Sequence, residues 1–362
     1  MIGPFESLKL VYAGISPHGY GNWLLSAPIL SGTPVRVVRL DVVNSRFPEP
    51  QGWTSMSAEK VLELQHPTSS NSFDNSNIMA SWVPIDQHSD FSLQNLPFGV
   101  FSTQSLDQRI GIAVGNYVLD MKALAQNDVF DSLNFDTATL QTSRLNQYAA
   151  LGRNIHRSVR TFLQNLLSAK TTHPALLRDN NGLRSTALVS MKDVKMHLPM
   201  AVGDYTDFFV VPYHAQNCTD IFRPGQTLPD AFFEQPLGYH GRASSVVVSG
   251  TPVQRPRGQF VGQYGKVTFE PSQKLDYEVE FAAFVIHGQP MGESIKINDA
   301  EDLIFGFVLL NDWSARDIQR REAAPLGPFN GKNFCTTISP WIVSPDALEP
   351  YRTAPLRSVG LI

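Results

Sequence analysis

The sequence predicts an α+β protein, mainly β, organised as a small barrel followed by a larger β-rich half that carries the candidate chemistry. Three observations predict it. Apolar residues alternate on either side of Gly115-Asn116, with Ile110, Ile112 and Val114 before it and Tyr117, Leu119 and Met121 after it, which is a hairpin pattern. Leu275, Tyr277, Val279 and Phe281 alternate with Asp276, Glu278 and Glu280, the period of a strand with one oily and one acidic face. Between these stretches, Ile155, Val159, Phe162, Leu163 and Leu166 recur at helical spacing, predicting an amphipathic helix over 143–168.

Composition bounds what such a chain does. With 42% hydrophobic and 17% charged residues over 362 positions, there is apolar material for two ordinary domains. A net charge of −4 and the lack of a Lys/Arg-rich run exclude a nucleic-acid footprint. Two cysteines, Cys218 and Cys335, without CxxC spacing, argue against a disulfide framework or a thiolate zinc site and suit a reducing, cytoplasmic setting. No apolar run approaches the roughly 18 residues of a membrane helix, and no signal peptide is evident.

Taken in order, residues 1–78 follow no sustained period, and PTSSNSFDNSN at 67–77 is linker-like. They are expected to be a disordered extension making few contacts with the rest of the chain. Residues 79–196 form the first domain, in which a small barrel is built from several short strands, among them Leu96–Phe101. The Arg178–Arg184 stretch, with Asp179-Asn180-Asn181-Gly182, reads as loop. Residues 197–362 form the second domain. Its segment GDYTDFFVVPYHAQNCTDIFR places Asp207, His214 and Arg223 where Pro212 breaks the chain into a loop. GYHGRASSVVVSGTP sets a glycine-bracketed turn before a short strand. Phe305–Leu310 reads as a buried strand, Ser314 as the cap of a helix whose Arg316, Gln319 and Ala323 share a face, and Gly331-Lys332 as loop.

The acidic strand carries the clearest chemistry. Glu278 and Glu280 lie about 6.6 Å apart along it, close enough to share one ion. No lysine or arginine lies between them. Buried, such a face needs a hard divalent cation; exposed, it is an ordinary acidic sheet face. Phosphate-cradling glycine loops, HExxH spacing and a GxSxG elbow are absent, so the residues point to an oxygen-ligated metal and stop short of a reaction.

The segments DYTDF, GYHGRASSVVVSGTP, LDYEVEF, NDWSARDIQ and GPFNGKNFCTTISPW, in that order, closely resemble the fumarylacetoacetase family. The resemblance implies an SH3-like N-terminal barrel, a C-terminal mixed β-roll and a homodimer. It also implies a hydrolase that cleaves a C–C bond of 4-fumarylacetoacetate, closing tyrosine and phenylalanine breakdown. Carried over by position, Asp207, Glu278, Glu280 and Asp312 match Ca²⁺ ligands, and Asp312 with Lys332 and Thr336 matches a Mg²⁺ site. His214 matches the general base; Arg316, Gln319 and Lys332 match groups that stabilise the oxyanions. Arg223, Tyr239 and Gln319 match substrate-binding positions. Phe209 and Ala323 stand where the family has substrate-binding tyrosines, so two hydroxyls are lost from the pocket.

The resemblance further implies a family chain that continues past YRTAPLRSVGLI, with a glutamate there that orients the histidine. The expectation is therefore a C-terminally truncated catalytic domain with little activity. A same-fold hydrolase or decarboxylase of another diketone or oxo acid, and a non-catalytic dimerisation or interaction module, are the alternatives.

Overall fold

The computed structural model describes residues 9–15, 79–87, 89–286, 290 and 292–352. The first strand, β1 (Lys9–Ile15), is followed by β2 (Phe98–Ser102), β3 (Arg109–Val114) and β4 (Tyr117–Asp120). β3 and β4 make the expected hairpin, with Val114 opposite Tyr117 across a turn where Gly115 has φ 54°. With β5 (Leu188–Ser190) and β6 (Lys195–His197) they form a five-stranded antiparallel sheet in the order β5-β4-β3-β2-β6. Helix α1 (Met121–Gln126) follows β4, capped by Asp120, whose Oδ1 accepts from Ala123 N at 3.0 Å.

The helix expected over 143–168 is two pieces, Asn146–Ala149 and α2 (Arg153–Leu167). Gly152, at φ 88°, breaks it, a conformation that a residue with a Cβ adopts only under strain. The stretch expected as loop at 178–184 instead opens α3 (Asn181–Ala187). Asn180 is its cap, accepting from Leu183 N at 3.1 Å, so the side chain that suggests a turn starts a helix.

The second half holds a seven-stranded mixed sheet, ordered β8-β7-β1-β12-β13-β14-β9. Its strands are β7 (Asp204–Phe208), β8 (Gly238–His240), β9 (Val246–Val248), β12 (Leu275–Val285), β13 (Ile304–Ala315) and β14 (Thr336–Ile338), besides β1. A separate hairpin pairs β10 (Arg257–Val261) with β11 (Val267–Pro271). β13 extends well beyond the predicted 305–310 run and carries Asn311 to Ser314 within it. Against the expectation of a detached extension, the backbone of Lys9–Ile15 pairs antiparallel with β12 and parallel with β7. Strand edges seek partners for their N–H and C=O groups, and this segment supplies them. The remainder of 1–78 lies outside the described residues.

The two halves share one apolar core. Phe305 on β13 sets its ring 5.9 Å from Phe98, 6.1 Å from Tyr148 and 4.9 Å from His156, all of the first half. Phe98 exchanges backbone hydrogen bonds with Ile342 at 2.9 and 2.7 Å. At the rim of this junction, the buried Arg153 guanidinium reaches Glu301 at 2.9 Å and Asp346 at 3.3 Å. Truncating Phe305 to alanine is expected to cost about 3–5 kcal/mol. Because the ring is common to both halves, the Phe305→Ala variant should melt in one transition at a lower temperature; two separated transitions in calorimetry would show independent domains.

Candidate metal centre and active site

Strand register assembles the carboxylates. Glu278 on β12 stands opposite Asp312 on β13, and Asp312 stands opposite Thr336 on β14, so three neighbouring strands place these side chains side by side. Glu280 comes two residues later, on the same face. The alternation seen in the sequence therefore holds, and the acidic face is the buried one: Glu280 is 0% exposed, Asp312 2% and Glu278 6%. Ligand oxygens of Glu278, Glu280 and Asp312 all lie within 4.8 Å of one another. Asp207 approaches from β7, buried, and accepts a hydrogen bond from the Tyr239 hydroxyl of the adjacent β8.

The sequence shows no base between the glutamates, but the fold brings two cations to one of them, Glu278. Lys332 Nζ donates to Asp312 Oδ2 and lies 2.9 Å from Glu278 Oε1. Arg316 binds the same Glu278 oxygen through Nη2 at 2.5 Å and Asp276 Oδ2 through Nε at 3.0 Å. Ser314 Oγ donates to that Glu278 oxygen at 3.3 Å. Burial works to raise the Glu278 carboxyl, but Lys332, Arg316 and His214 outweigh it and hold it below the usual carboxylate range. Burial also opposes the charge on Lys332, and Glu278 and Asp312 more than compensate, so the ammonium is held firmly protonated.

Compensation stops there. Burial pushes Asp207 up to about 6 and Asp312 up to about 7, against the pull of Lys332. Glu280 is raised well above the ordinary range, by burial first and by Asp312 second. Neither of its oxygens has a hydrogen-bond partner. A completely buried carboxylate with two orphaned oxygens beside two more carboxylates is a donor set for a hard divalent cation, and the residues present fit one.

Beside this cluster runs helix α4 (Pro212–Phe222), which carries His214. Pro212 starts the helix rather than breaking the chain into a loop, because its fixed φ and missing N–H suit a first helical position. The Phe209 ring stands edge-on to His214 with centroids 5.3 Å apart, and Cys218 Sγ lies 3.6 Å from His214 Nε2. Burial pushes the Cys218 thiol up to about 11. Helix α5 (Arg316–Glu322) carries Gln319, whose Oε1 accepts from Arg316 Nη1 at 3.3 Å. Its N-cap is Ala315; Ser314, the expected cap, spends its hydroxyl on Glu278 instead. Lys332 lies not in a loop but on a one-turn helix, α6 (Asn330–Asn333), seated against α5.

Other predicted positions are not drawn into the cluster. Arg223 is the exposed C-cap of α4, about 13 Å along the helix from His214. Ala323 is exposed at the C-cap of α5. Tyr239, expected to meet substrate, holds Asp207. Three functional neighbours escaped sequence reasoning: Ser314 on Glu278, Asp276 on Arg316, and Cys218 beside His214. The i, i+4 spacing of His214 and Cys218 on one helix face would have found the last.

The raised carboxyls give the metal-free site a pH dependence of its own. Acids whose folded pKa exceeds the unfolded value keep protons in the native state that the unfolded chain releases, so stability falls as pH rises from about 4 to about 7. A divalent cation removes that penalty. The melting temperature of metal-free protein should therefore fall across this window, and added Ca²⁺ or Mg²⁺ should raise it more at about pH 8 than at about pH 5. Glu280→Gln should raise the metal-free melting temperature and abolish the gain from metal; a metal gain equal to that of the parent would count against this centre.

Known proteins share both the sequence and the order of its parts. The family model described as fumarylacetoacetase N-terminal matches residues 94–199, and that described as fumarylacetoacetate (FAA) hydrolase C-terminal matches 207–359. A fumarylacetoacetase of Aspergillus fumigatus is 48% identical over 77% of this chain and 67% of its own length. Those of Arabidopsis thaliana, at 46%, and Rattus norvegicus, at 47%, are covered over 65% of theirs, so this chain spans about two thirds of the curated relatives it matches. A solved fumarylacetoacetate hydrolase from Exiguobacterium antarcticum shares 17% identity at TM-score 0.39, over 69% of this chain and 66% of that one, too distant to bear on the site. With both halves matched in order and nearly half of the aligned residues identical, the chain belongs to the fumarylacetoacetase family of hydrolases.

Proposed function

We propose that this chain hydrolyses 4-fumarylacetoacetate to fumarate and acetoacetate, the last step of tyrosine and phenylalanine breakdown. One observation carries the reading: an orphaned, fully buried Glu280 shares a cluster with Glu278 and Asp312, on which two side-chain cations, Arg316 and Lys332, converge. Curated relatives at 46–48% identity supply the substrate.

The reaction needs such a site. Water adds its oxygen to the carbonyl carbon that bears the fumaryl group, and the bond to the neighbouring methylene then breaks. Its electron pair leaves on acetoacetate, which takes up a proton. Negative charge thus appears on oxygen twice, and fixed cationic donors in a buried site are what stabilise it. His214 is assigned the proton from water and its return to the departing carbon, work suited to an imidazole near neutrality. Arg316, Gln319 and Lys332 are assigned the developing oxyanions. Asp207, Glu278, Glu280 and Asp312 would hold Ca²⁺, and Asp312 with Lys332 and Thr336 would border Mg²⁺. Such a cation supplies Lewis acidity toward the diketone oxygens when bound. Tyr239 and Phe209 are assigned to the substrate pocket; Arg223 and Ala323, exposed at helix ends away from the carboxylate cluster, are assigned only to the far end of the substrate.

The same reading makes the five-stranded sheet an SH3-like barrel and the assembly a homodimer. Two free cysteines favour a cytoplasmic setting, and among the described residues no helix is long and apolar enough to cross a membrane. Phe209 motivates a second reading, hydrolysis of another diketone or oxo acid, since its ring edge gives His214 an apolar neighbour where a hydroxyl would bind a polar substrate.

Loss of ultraviolet absorbance by the diketone, measured with and without added metal, tests the proposal. Turnover of fumarylacetoacetate, however slow, is expected to depend on metal and to exceed that of a simple acylpyruvate; the reverse order would favour the second reading, and no turnover of either would defeat both. His214→Gln should lower kcat by about 10²–10⁴-fold while the gain in melting temperature on adding metal remains.

A further inference from the structure

Helix α5 ends on Glu322, whose side chain turns back on the chain beyond it. Its Oε1 accepts the backbone N–H of Phe329 at 2.8 Å and that of Gly331 at 2.5 Å. These two donors belong to the entry of α6, and Lys332 is the next residue. The turn is also packed closely: a Cβ added at Gly331 would stand 2.7 Å from the backbone N of Gln319, so only a glycine lets α6 lie against α5. At its other end, α5 begins with Arg316, which grips Glu278 Oε1, the atom that Lys332 also approaches. Glu278, Arg316, α5, Glu322, the α6 turn and Lys332 thereby close a ring.

We propose that Glu322 is a positioning residue that sets the place of the Lys332 ammonium relative to the Arg316 guanidinium. A helix of seven residues is a short, stiff strut between the two cations. The segment between Ala323 and Phe329 exposes Leu326 at 95% and Phe329 at 54%, so little packing on that side holds the turn. The carboxylate of Glu322 supplies the hold that side-chain packing does not. Like a capping side chain, it meets N–H groups at the start of a turn that has no intrahelical acceptor for them. Without it, α6 is free to shift, and a displacement on the order of 1 Å at a catalytic group costs about 10²-fold in rate.

The inference rests on the proposed role of Lys332 toward substrate oxyanions, and one readout is chosen to be independent of it. Glu322→Ala is expected to lower kcat by about 10²-fold with little change in KM, whereas Glu322→Gln, whose amide oxygen still accepts both N–H groups, should stay close to the parent. In parallel, amine labelling of intact protein with peptide mass spectrometry reads the shielding of Lys332. The parent and Glu322→Gln should label slowly there, and Glu322→Ala quickly. Glu322→Asp, one methylene short, should be intermediate on both measures and serves if the alanine variant does not fold. Equal loss of kcat in Glu322→Gln and Glu322→Ala would mean that the charge itself is used, and would overturn the positioning role. Unchanged kcat and unchanged labelling in Glu322→Ala would overturn it as well. If the parent turns over no substrate, the assigned reaction fails, and the labelling contrast alone decides the clamp.

Discussion

A carboxylate buried without a hydrogen-bond partner is the constraint on which the rest of this structure depends. Glu280 lies on a central strand with Glu278 and Asp312 beside it, and three such groups in a dry sheet interior are tolerable only if positive charge meets them. The protein meets part of the demand with its own chain. Lys332 and Arg316 converge on Glu278, Asp276 shares the guanidinium, and Tyr239 steadies Asp207. The part left over is centred on Glu280, whose two oxygens no side chain meets, and it is the demand that a divalent ion would satisfy.

Secondary structure is arranged to bring those charges together. Antiparallel pairing of β12 with β13, and of β13 with β14, fixes Glu278, Asp312 and Thr336 in one row, so their relative positions are as rigid as the sheet. The cations come instead from short helices packed at the end of β13, where the chain leaves the sheet at Ala315 and returns at Thr336. Rigid acids and helix-borne cations divide the labour: the sheet fixes the carboxylates that would hold an ion, and the helices bring Arg316 and Lys332 onto Glu278. The core shared with the first half braces this arrangement, since Phe305 lies on the same strand as Asp312.

Local signals were legible where one element decides the outcome. The alternation around Asp276–Glu280 located the acidic strand and assigned the acids to a single face, and the pattern around Gly115 located a hairpin. Signals of equal strength failed where two local readings compete. Asn180 and Pro212 both fit a turn as well as a helix start; after Asn180 the helix buries Leu183 and Ala187, and after Pro212 it buries Ala215. The stretch at 143–168 was helical by period, yet Gly152 divides it.

The sequence by itself determined the family, through five segments in order, and determined which side chains of β12 stand together, because a strand's period is a property of the chain within a few residues. It did not determine that the acidic face is the buried one, or that Lys332 and Arg316 offset part of its charge. Arg316 meets Glu278 across 38 positions and Lys332 meets Asp312 across 20, contacts made only when β13 has paired and the chain has doubled back through two helices. Nor does any local pattern place the Glu322 carboxylate on the turn before Lys332. Burial and charge compensation are properties of the assembled sheet, because the cost of a charge depends on everything that has displaced its water.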